Sequence, residues 1–363
     1  LKIKDKSISL LGIIFPNIIG NLSAIIYVFT ITFIKLKNNF LSKKFLTINT
    51  TTLTLFYVAL HAVVAFLFNG FSLNAEFKGL VFLAITSIII SCNKRFKNLN
   101  EIKSLINLII FYLAVVALFV LITKGFIFRF PDFNPIRYGF NSTYVGGLFV
   151  IIFGIFKDKL IRIKSTIIIL LAGSGTAISG FILYLGISNF SNFRKLRLSI
   201  FRLILIVFLV AVAISVFIYT QTIRGRNLLD LETIDRYLLQ SYFIEYYIKE
   251  FTLTKFLFGT TFKGSLLPLT EYIDIDYVRN ILVRRVKDGF VGANMLHNEH
   301  LRIIFHFGFI GYAIFQRQIY LLVDRNKILY TTIFWMQLFN PIIYINSTYV
   351  LLIFLSNFKL NRS

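Results

Sequence analysis

Long apolar segments alternate with short basic clusters along the chain. Segments of roughly 18 or more mostly apolar residues are long enough for a helix to cross about 30 Å of hydrocarbon. Helices also satisfy their backbone hydrogen bonds internally, as the bilayer demands. The pattern therefore predicts an all-α polytopic integral membrane protein with about 10–11 transmembrane helices.

The basic clusters orient these segments, because short cytoplasmic loops carry an excess of Lys and Arg. We interpret five loops and a tail as cytoplasmic: 35–44, 93–103, 157–164, 193–202, 316–327 and 359–362. The predicted crossings are 45–68, 77–91, 102–123, 143–156, 200–219, 301–315, 329–339 and 342–355. The first segment, 8–34, is interrupted at Pro16-Asn17 and at Gly20-Asn21, and it fits one crossing or two.

Segment 163–185 has basic clusters at both ends, which a single crossing does not accommodate. Its middle reads Gly173-Ser174-Gly175-Thr176, and small residues favour a tight reversal of the backbone. We predict a helical hairpin here. The alternative is one helix with small packing residues.

Composition agrees with a membrane protein. Hydrophobic residues make up 57% of the chain and charged residues 15%, against roughly 25% charged in soluble domains. The net charge of +23 would suggest nucleic-acid binding in a soluble protein, but here the basic residues lie largely in short loops between apolar segments, and no nucleic-acid partner is expected. Cys92 is the only cysteine, which excludes an intramolecular disulfide.

The longest stretch without a crossing, 220–300, is predicted to lie outside the cytoplasmic membrane, and a smaller external loop spans 124–141. Arginine binds phosphate through two parallel hydrogen bonds, so the arginines of the loop 220–300 suit a lipid-linked phosphate or pyrophosphate. The alternative is a solvated loop with ordinary salt bridges. Its residues 234–248 have helical apolar spacing and predict an amphipathic helix on the membrane surface.

The loop ends at a recognisable pattern: His297-Asn298, nine residues, Gly308, two residues, Gly311. This pattern resembles that of the O-antigen ligase and O-antigen polymerase superfamily of bacterial surface polysaccharide assembly. Arg236 at the start of the amphipathic helix, Phe258-Gly259 after it and the loop 129–141 resemble the family too. The topology is similar over nearly the whole chain, whereas the motifs cover 129–141 and 235–311.

One position departs from the family pattern. Gly175 stands where many members carry the Arg of a Ser-Arg pair. The role of that Arg must be absent or supplied by another residue, for which Arg129 and Arg137 are candidates.

The resemblance implies a C-type membrane glycosyltransferase fold in the cell inner membrane, acting without metal or cofactor at its outer face. The donor would be an undecaprenyl-diphosphate-linked oligosaccharide. His297 would act as the base toward the acceptor hydroxyl, and Arg236 would hold the departing pyrophosphate. Further candidates for substrate or pyrophosphate binding are Arg129, Arg137, Arg279, Arg284, Arg285 and Asn298.

We favour a polymerase that adds repeats to a growing O-antigen or capsular polysaccharide chain, because the loop is compact and the match at the Ser-Arg position is poor. A chain-length regulator and a repeat-unit flippase would be its protein partners. One alternative is the ligase that moves finished glycan onto lipid A-core. Another is a flippase or transporter, which would concentrate charge inside the bilayer rather than outside it.

Other polar residues near the motif have simpler interpretations. Asn298 is predicted to cap the following helix, and Gly308 and Gly311 to permit close helix contact. His300 could pair with His297 at a metal, but the loop shows no clear third ligand and no metal is expected. His61, in an apolar segment, is expected to pack with a hydrogen bond.

Overall fold

The computed structural model of the chain describes residues 50–69, 142–172, 174–193, 235–260, 265–284, 286 and 296–339, with isolated positions at 84, 106, 107, 110, 111, 115, 211 and 215. Every regular element in these ranges is helical. The elements are α1 (Thr50–Asn69), α2 (Ser142–Ile155), α3 (Lys159–Ala172), α4 (Gly175–Phe193), α5 (Asp235–Glu250), α6 (Leu253–Phe258), the 3₁₀ helix η1 (Leu267–Tyr272), α7 (Asp276–Val283), α8 (Glu299–Leu322) and α9 (Lys327–Phe339).

Several predicted segments lie outside the described residues, apart from the isolated positions above: 8–34, 77–91, 102–123, 124–141, 200–219 and 342–355. None of the helices in the described ranges combines the length and hydropathy expected of a membrane crossing. The polytopic arrangement stays a prediction.

The chain divides into two compact units, and the first holds α2, α3, α4 and α9. Helix α2 packs against both α3 and α4, and its side chains from Phe149 to Ile152 are fully buried. Helix α9 packs against α4, where Gly180 leaves room for Met336. A helix that is apolar on all sides, such as α2, belongs in the interior of the unit.

A break separates α3 from α4 within the segment for which a reversal is predicted. Helix α3 ends at Ala172 and α4 begins at Gly175. The Ser174 hydroxyl accepts a hydrogen bond of 3.5 Å from the Ala177 amide, as an N-terminal cap does. The structure therefore describes two helices here, and the path of the chain through a bilayer at this break stays a prediction.

Three helices turn apolar side chains outward and polar ones inward. On α1, Phe56 is 68% exposed whereas His61 is 4% exposed, and Leu53 and Leu60 are exposed while Thr54 is buried. On α3, Leu160, Ile163 and Ile167 are exposed while Ser165 is buried, and on α9 Trp335 and Phe339 are exposed while Thr332 and Gln337 are buried. This arrangement is the reverse of the one that water favours.

The second unit holds α1, α5, α6, η1, α7 and nearly all of α8. Its apolar core joins α5 to η1, α7 and α8 through Leu239, Phe243, Tyr246, Tyr247, Leu269, Val278, Leu282 and Phe305. The apolar side of α5 is buried against this core, and the location of the helix on the membrane surface stays a prediction. The outward apolar residues of α5 are Ile244 and Ile248.

Candidate functional site

Helix α8, which follows the His-Asn pair, is interrupted at Gly308. This glycine has φ 63° and ψ −173°, a conformation essentially restricted to glycine. Asn298 caps the start of the helix, as predicted, because its Oδ1 accepts a hydrogen bond of 3.1 Å from the Leu301 amide. The family-like pattern therefore begins at a helix cap and reaches the break ten residues after that cap.

The chain folds back on itself at this break. His300 Nδ1 lies 3.1 Å from the Tyr312 hydroxyl and 3.2 Å from Gln316 Nε2. His300 and Gln316 are 16 residues apart, so a straight helix would separate their backbones by about 24 Å, beyond the reach of two side chains. Residues 299–307 and 309–322 are therefore two legs of a hairpin, not one straight helix, and the membrane crossing expected over 301–315 stays a prediction.

Gly308 and Gly259 form a reciprocal contact between the two halves of the family-like pattern. A Cβ on Gly308 would overlap the backbone of Leu257 and Phe258, and one on Gly259 would overlap the backbone of His306 and Phe307. Gly259 also has a positive φ, 79°. Both glycines are required because the turn after α6 and the turn of the hairpin lie backbone against backbone.

Two carbonyls in the turn before Gly308 accept hydrogen bonds from outside α8. The Phe305 carbonyl accepts from the Thr260 amide at 2.8 Å and from the Thr260 hydroxyl at 3.0 Å. The Phe307 carbonyl accepts from the Tyr57 hydroxyl of α1 at 2.6 Å, and this hydroxyl occupies the space beside Gly311. A break in a helix deprives carbonyls of their donors, and the Thr260 amide and the two hydroxyls replace them.

The His-Asn pair lies beside α5. Asn298 donates from Nδ2 to Gln240 Oε1 at 3.5 Å. Arg236 belongs to the first turn of α5, four residues before Gln240 and therefore on the same face of that helix. The structure describes the backbone of Arg236 and not its side chain. His297 itself is half-buried.

Ionisable side chains are concentrated in the first leg of the hairpin. Glu299 and His306 are fully buried, and His300 and Arg302 are nearly so. Buried charged groups cost free energy unless they are paired or hydrogen-bonded, so such a concentration is typical of functional sites.

The arginines predicted to bind pyrophosphate lie in different environments. Arg279 donates to Asp276 Oδ1 at 3.2 Å and to the Ile273 carbonyl, so its guanidinium is engaged within its own segment. Arg284 follows α7 and is exposed. Arg129, Arg137 and Arg285 lie outside the described residues.

The tyrosines of the loop core remain protonated to high pH. Burial raises the pKa of Tyr247 to about 12. The hydrogen bond from Tyr272 to Glu250 raises the pKa of Tyr272 to about 12. These hydroxyls serve as hydrogen-bond donors at neutral pH, and neither is a candidate base.

Within the described ranges, no group of three His, Cys, Asp or Glu side chains could hold a metal ion. Sequence reasoning missed the contributions of Tyr57, Gln240, Thr260 and the partners of His300. Only Gly308, an isolated glycine inside a helical pattern, offered a signal for the break.

Comparison of the chain with protein-family models, with curated proteins and with solved structures finds no match.

Proposed function

We propose that this protein is a membrane glycosyltransferase of the O-antigen polymerase type. It would transfer undecaprenyl-diphosphate-linked oligosaccharide repeats to a growing polysaccharide chain. The observation that carries the proposal is the contact between the two parts of the family-like pattern. Gly259 packs on the backbone before Gly308, and Asn298 hydrogen-bonds Gln240, one helical turn after Arg236.

The outward-facing apolar residues of α1, α3 and α9 support a location in the cell inner membrane. Leu53, Phe56 and Leu60 form a stripe on α1 that a bilayer would cover, while His61 and Thr54 face protein. A lipid-linked donor is anchored in the same bilayer by its polyprenyl chain. The enzyme and its donor would therefore meet at the membrane surface.

In the proposed reaction, the acceptor hydroxyl attacks the anomeric carbon of the donor sugar. The O–H proton passes to the ring of His297, a new C–O bond forms, and the bond between the anomeric carbon and the phosphate oxygen breaks. Neutral imidazole suits this role, because its ordinary pKa of about 6.5 leaves it able to accept a proton near pH 7.

Undecaprenyl diphosphate leaves with the electrons of the broken bond, so negative charge develops on its terminal phosphate. We assign Arg236 to this charge, because a guanidinium forms two parallel hydrogen bonds to phosphate oxygens. Its position at the start of α5 also favours an anion, since helix N-termini carry partial positive charge. Arg284 and the arginines outside the described residues are further candidates, whereas Arg279 is already engaged.

The proposal is tested by replacing His297 in the producing strain and separating its surface polysaccharide by gel electrophoresis. His297→Ala is expected to abolish polymer while the protein still inserts in the membrane. Lys249→Ala is the matched control, because it removes only an exposed ion pair with Glu245. Normal polymer length in the His297→Ala strain would contradict the catalytic assignment.

Deletion of the whole chain distinguishes polymerase from ligase. A single repeat attached to lipid A-core indicates a lost polymerase, which the proposal expects. Full-length polymer retained on undecaprenyl diphosphate would indicate a lost ligase instead.

A further inference from the structure

We propose that His300 is a positioning residue that fastens the two legs of the α8 hairpin and thereby holds His297 in place. This inference rests on the proposed function of His297. His300 lies in the first turn after Asn298, and its ring contacts Tyr312 and Gln316 in the second leg.

The hydrogen bonding defines the state of the ring. The Gln316 amide nitrogen can only donate, so Nδ1 of His300 is an acceptor and the neutral ring carries its proton on Nε2. The Tyr312 hydroxyl lies 3.1 Å from the same nitrogen. The contact is buried in the protein, since His300 and Gln316 are each 6% exposed. An acceptor at the position of Nδ1 matches the donor that Gln316 presents.

The contact acts on His297 through the first turn of the short leg. His297 immediately precedes Asn298, whose side chain caps that turn through the Leu301 amide. The short leg is anchored at its far end by the close packing of Gly308 and by the Thr260 hydrogen bonds to Phe305. His300 anchors its near end. The Asn298 hydrogen bond to Gln240 holds this end against α5, whereas His300 ties it to the second leg. Without the His300 contact the short leg shifts relative to the second leg, and His297 moves with it.

Two substitutions separate this role from bulk packing. Asn carries Oδ1 on Cγ, as His carries Nδ1 on Cγ, so His300→Asn retains an acceptor for Gln316. Gln carries its polar atoms one bond farther along the chain, so His300→Gln retains polarity and volume but displaces the acceptor. His300→Asn is therefore the rescue variant and His300→Gln the disabled one.

The kinetic test uses the purified full chain with an undecaprenyl-diphosphate-linked repeat as substrate. His300→Gln is expected to lower kcat by about 10²-fold, the effect of a small misplacement of a reacting group, with KM for the donor nearly unchanged. His300→Asn is expected to stay within about threefold of wild type. Equal losses in the two variants, or a loss confined to KM, would overturn the positioning role.

The geometry is tested independently by cross-linking. In a Cys92→Ala background, His300→Cys and Gln316→Cys together are treated with a short, reducible bis-thiosulfonate linker, and the product is identified by mass spectrometry. The linker is expected to join the two legs and to restore activity until it is reduced. If the two introduced cysteines do not cross-link, the hairpin geometry is wrong. If the activity of the cross-linked protein is the same before and after reduction of the linker, the positioning role is wrong. If wild type itself is inactive, the proposed function fails, while the cross-link still tests the hairpin.

Discussion

Replacing Gly308 with alanine should break the contact between α8 and the turn that follows α6. The φ of 63° and ψ of −173° at Gly308 belong to a region that only glycine occupies readily. The added Cβ would also overlap the backbone of Leu257 and Phe258, which side-chain rearrangement does not relieve.

The loss of stability expected for Gly308→Ala follows from these two costs. The backbone conformation costs of order 1–3 kcal/mol for a residue with a side chain. Forcing a methyl group into a filled space adds about 1–3 kcal/mol. The sum, roughly 2–6 kcal/mol, is a large fraction of the 5–15 kcal/mol that stabilises a typical folded protein. Gly308→Ala should therefore open the hairpin locally or lower the thermal stability of the whole chain.

Gly186 in α4 provides a matched control. A Cβ at this position meets no atom within 4 Å. Gly→Ala inside a helix stabilises by about 0.5–1 kcal/mol, so the same chemical change should have opposite signs at the two positions.

The assay is the melting temperature of the detergent-solubilised protein, read as the fraction that stays monodisperse after heating. Gly308→Ala is expected to melt at least about 5 °C below Gly186→Ala. Equal melting temperatures, together with equal glycosyl transfer, would refute the close contact of Gly308 with Leu257.

Three further predictions concern single hydrogen bonds. Tyr57→Phe should lower the free energy of unfolding by about 1–3 kcal/mol, because a buried carbonyl loses its donor, and thermal unfolding against wild type measures it. Asn298→Ala should lower the free energy of unfolding by about 1 kcal/mol, because the helix cap is lost. Asn298→Ser should restore this stability but not the contact with Gln240, so measuring both stability and activity separates the capping role of Asn298 from its contact with α5. The hydrogen bond from Tyr272 to Glu250 should stabilise the fold fully below the ordinary tyrosine pKa of about 10, and this stabilisation should be lost as pH rises through about 12. Glu250→Gln should lower the titration midpoint of Tyr272, which an ultraviolet difference titration against Tyr272→Phe measures.

The local features of this chain were accessible from its sequence. The spacing of apolar residues predicted helices that overlap α1, α2, α5 and α9, and the preference of Asn for helix starts predicted the cap at Asn298. Both signals act within a few residues, which is the range over which periodicity and capping are informative.

The arrangement of the candidate site was not accessible in the same way. Periodicity treats 301–315 as one helix because both legs of the hairpin are apolar, and it does not register the reversal at Gly308. The contact of Gly259 with Gly308 joins segments far apart in the sequence, and neither glycine reveals its partner locally. Tertiary contacts of this kind override local preference, so the roles of Thr260 and Tyr57 emerge only from the structure.

The central claim is that this chain transfers glycan from a lipid diphosphate with His297 as base. Its most direct test incubates the purified protein with an undecaprenyl-diphosphate-linked repeat, in the presence of a chelator, and resolves the products by length. The account predicts a ladder of polymers from wild type and none from His297→Ala. An identical ladder from His297→Ala, or no polymer from wild type, would contradict it.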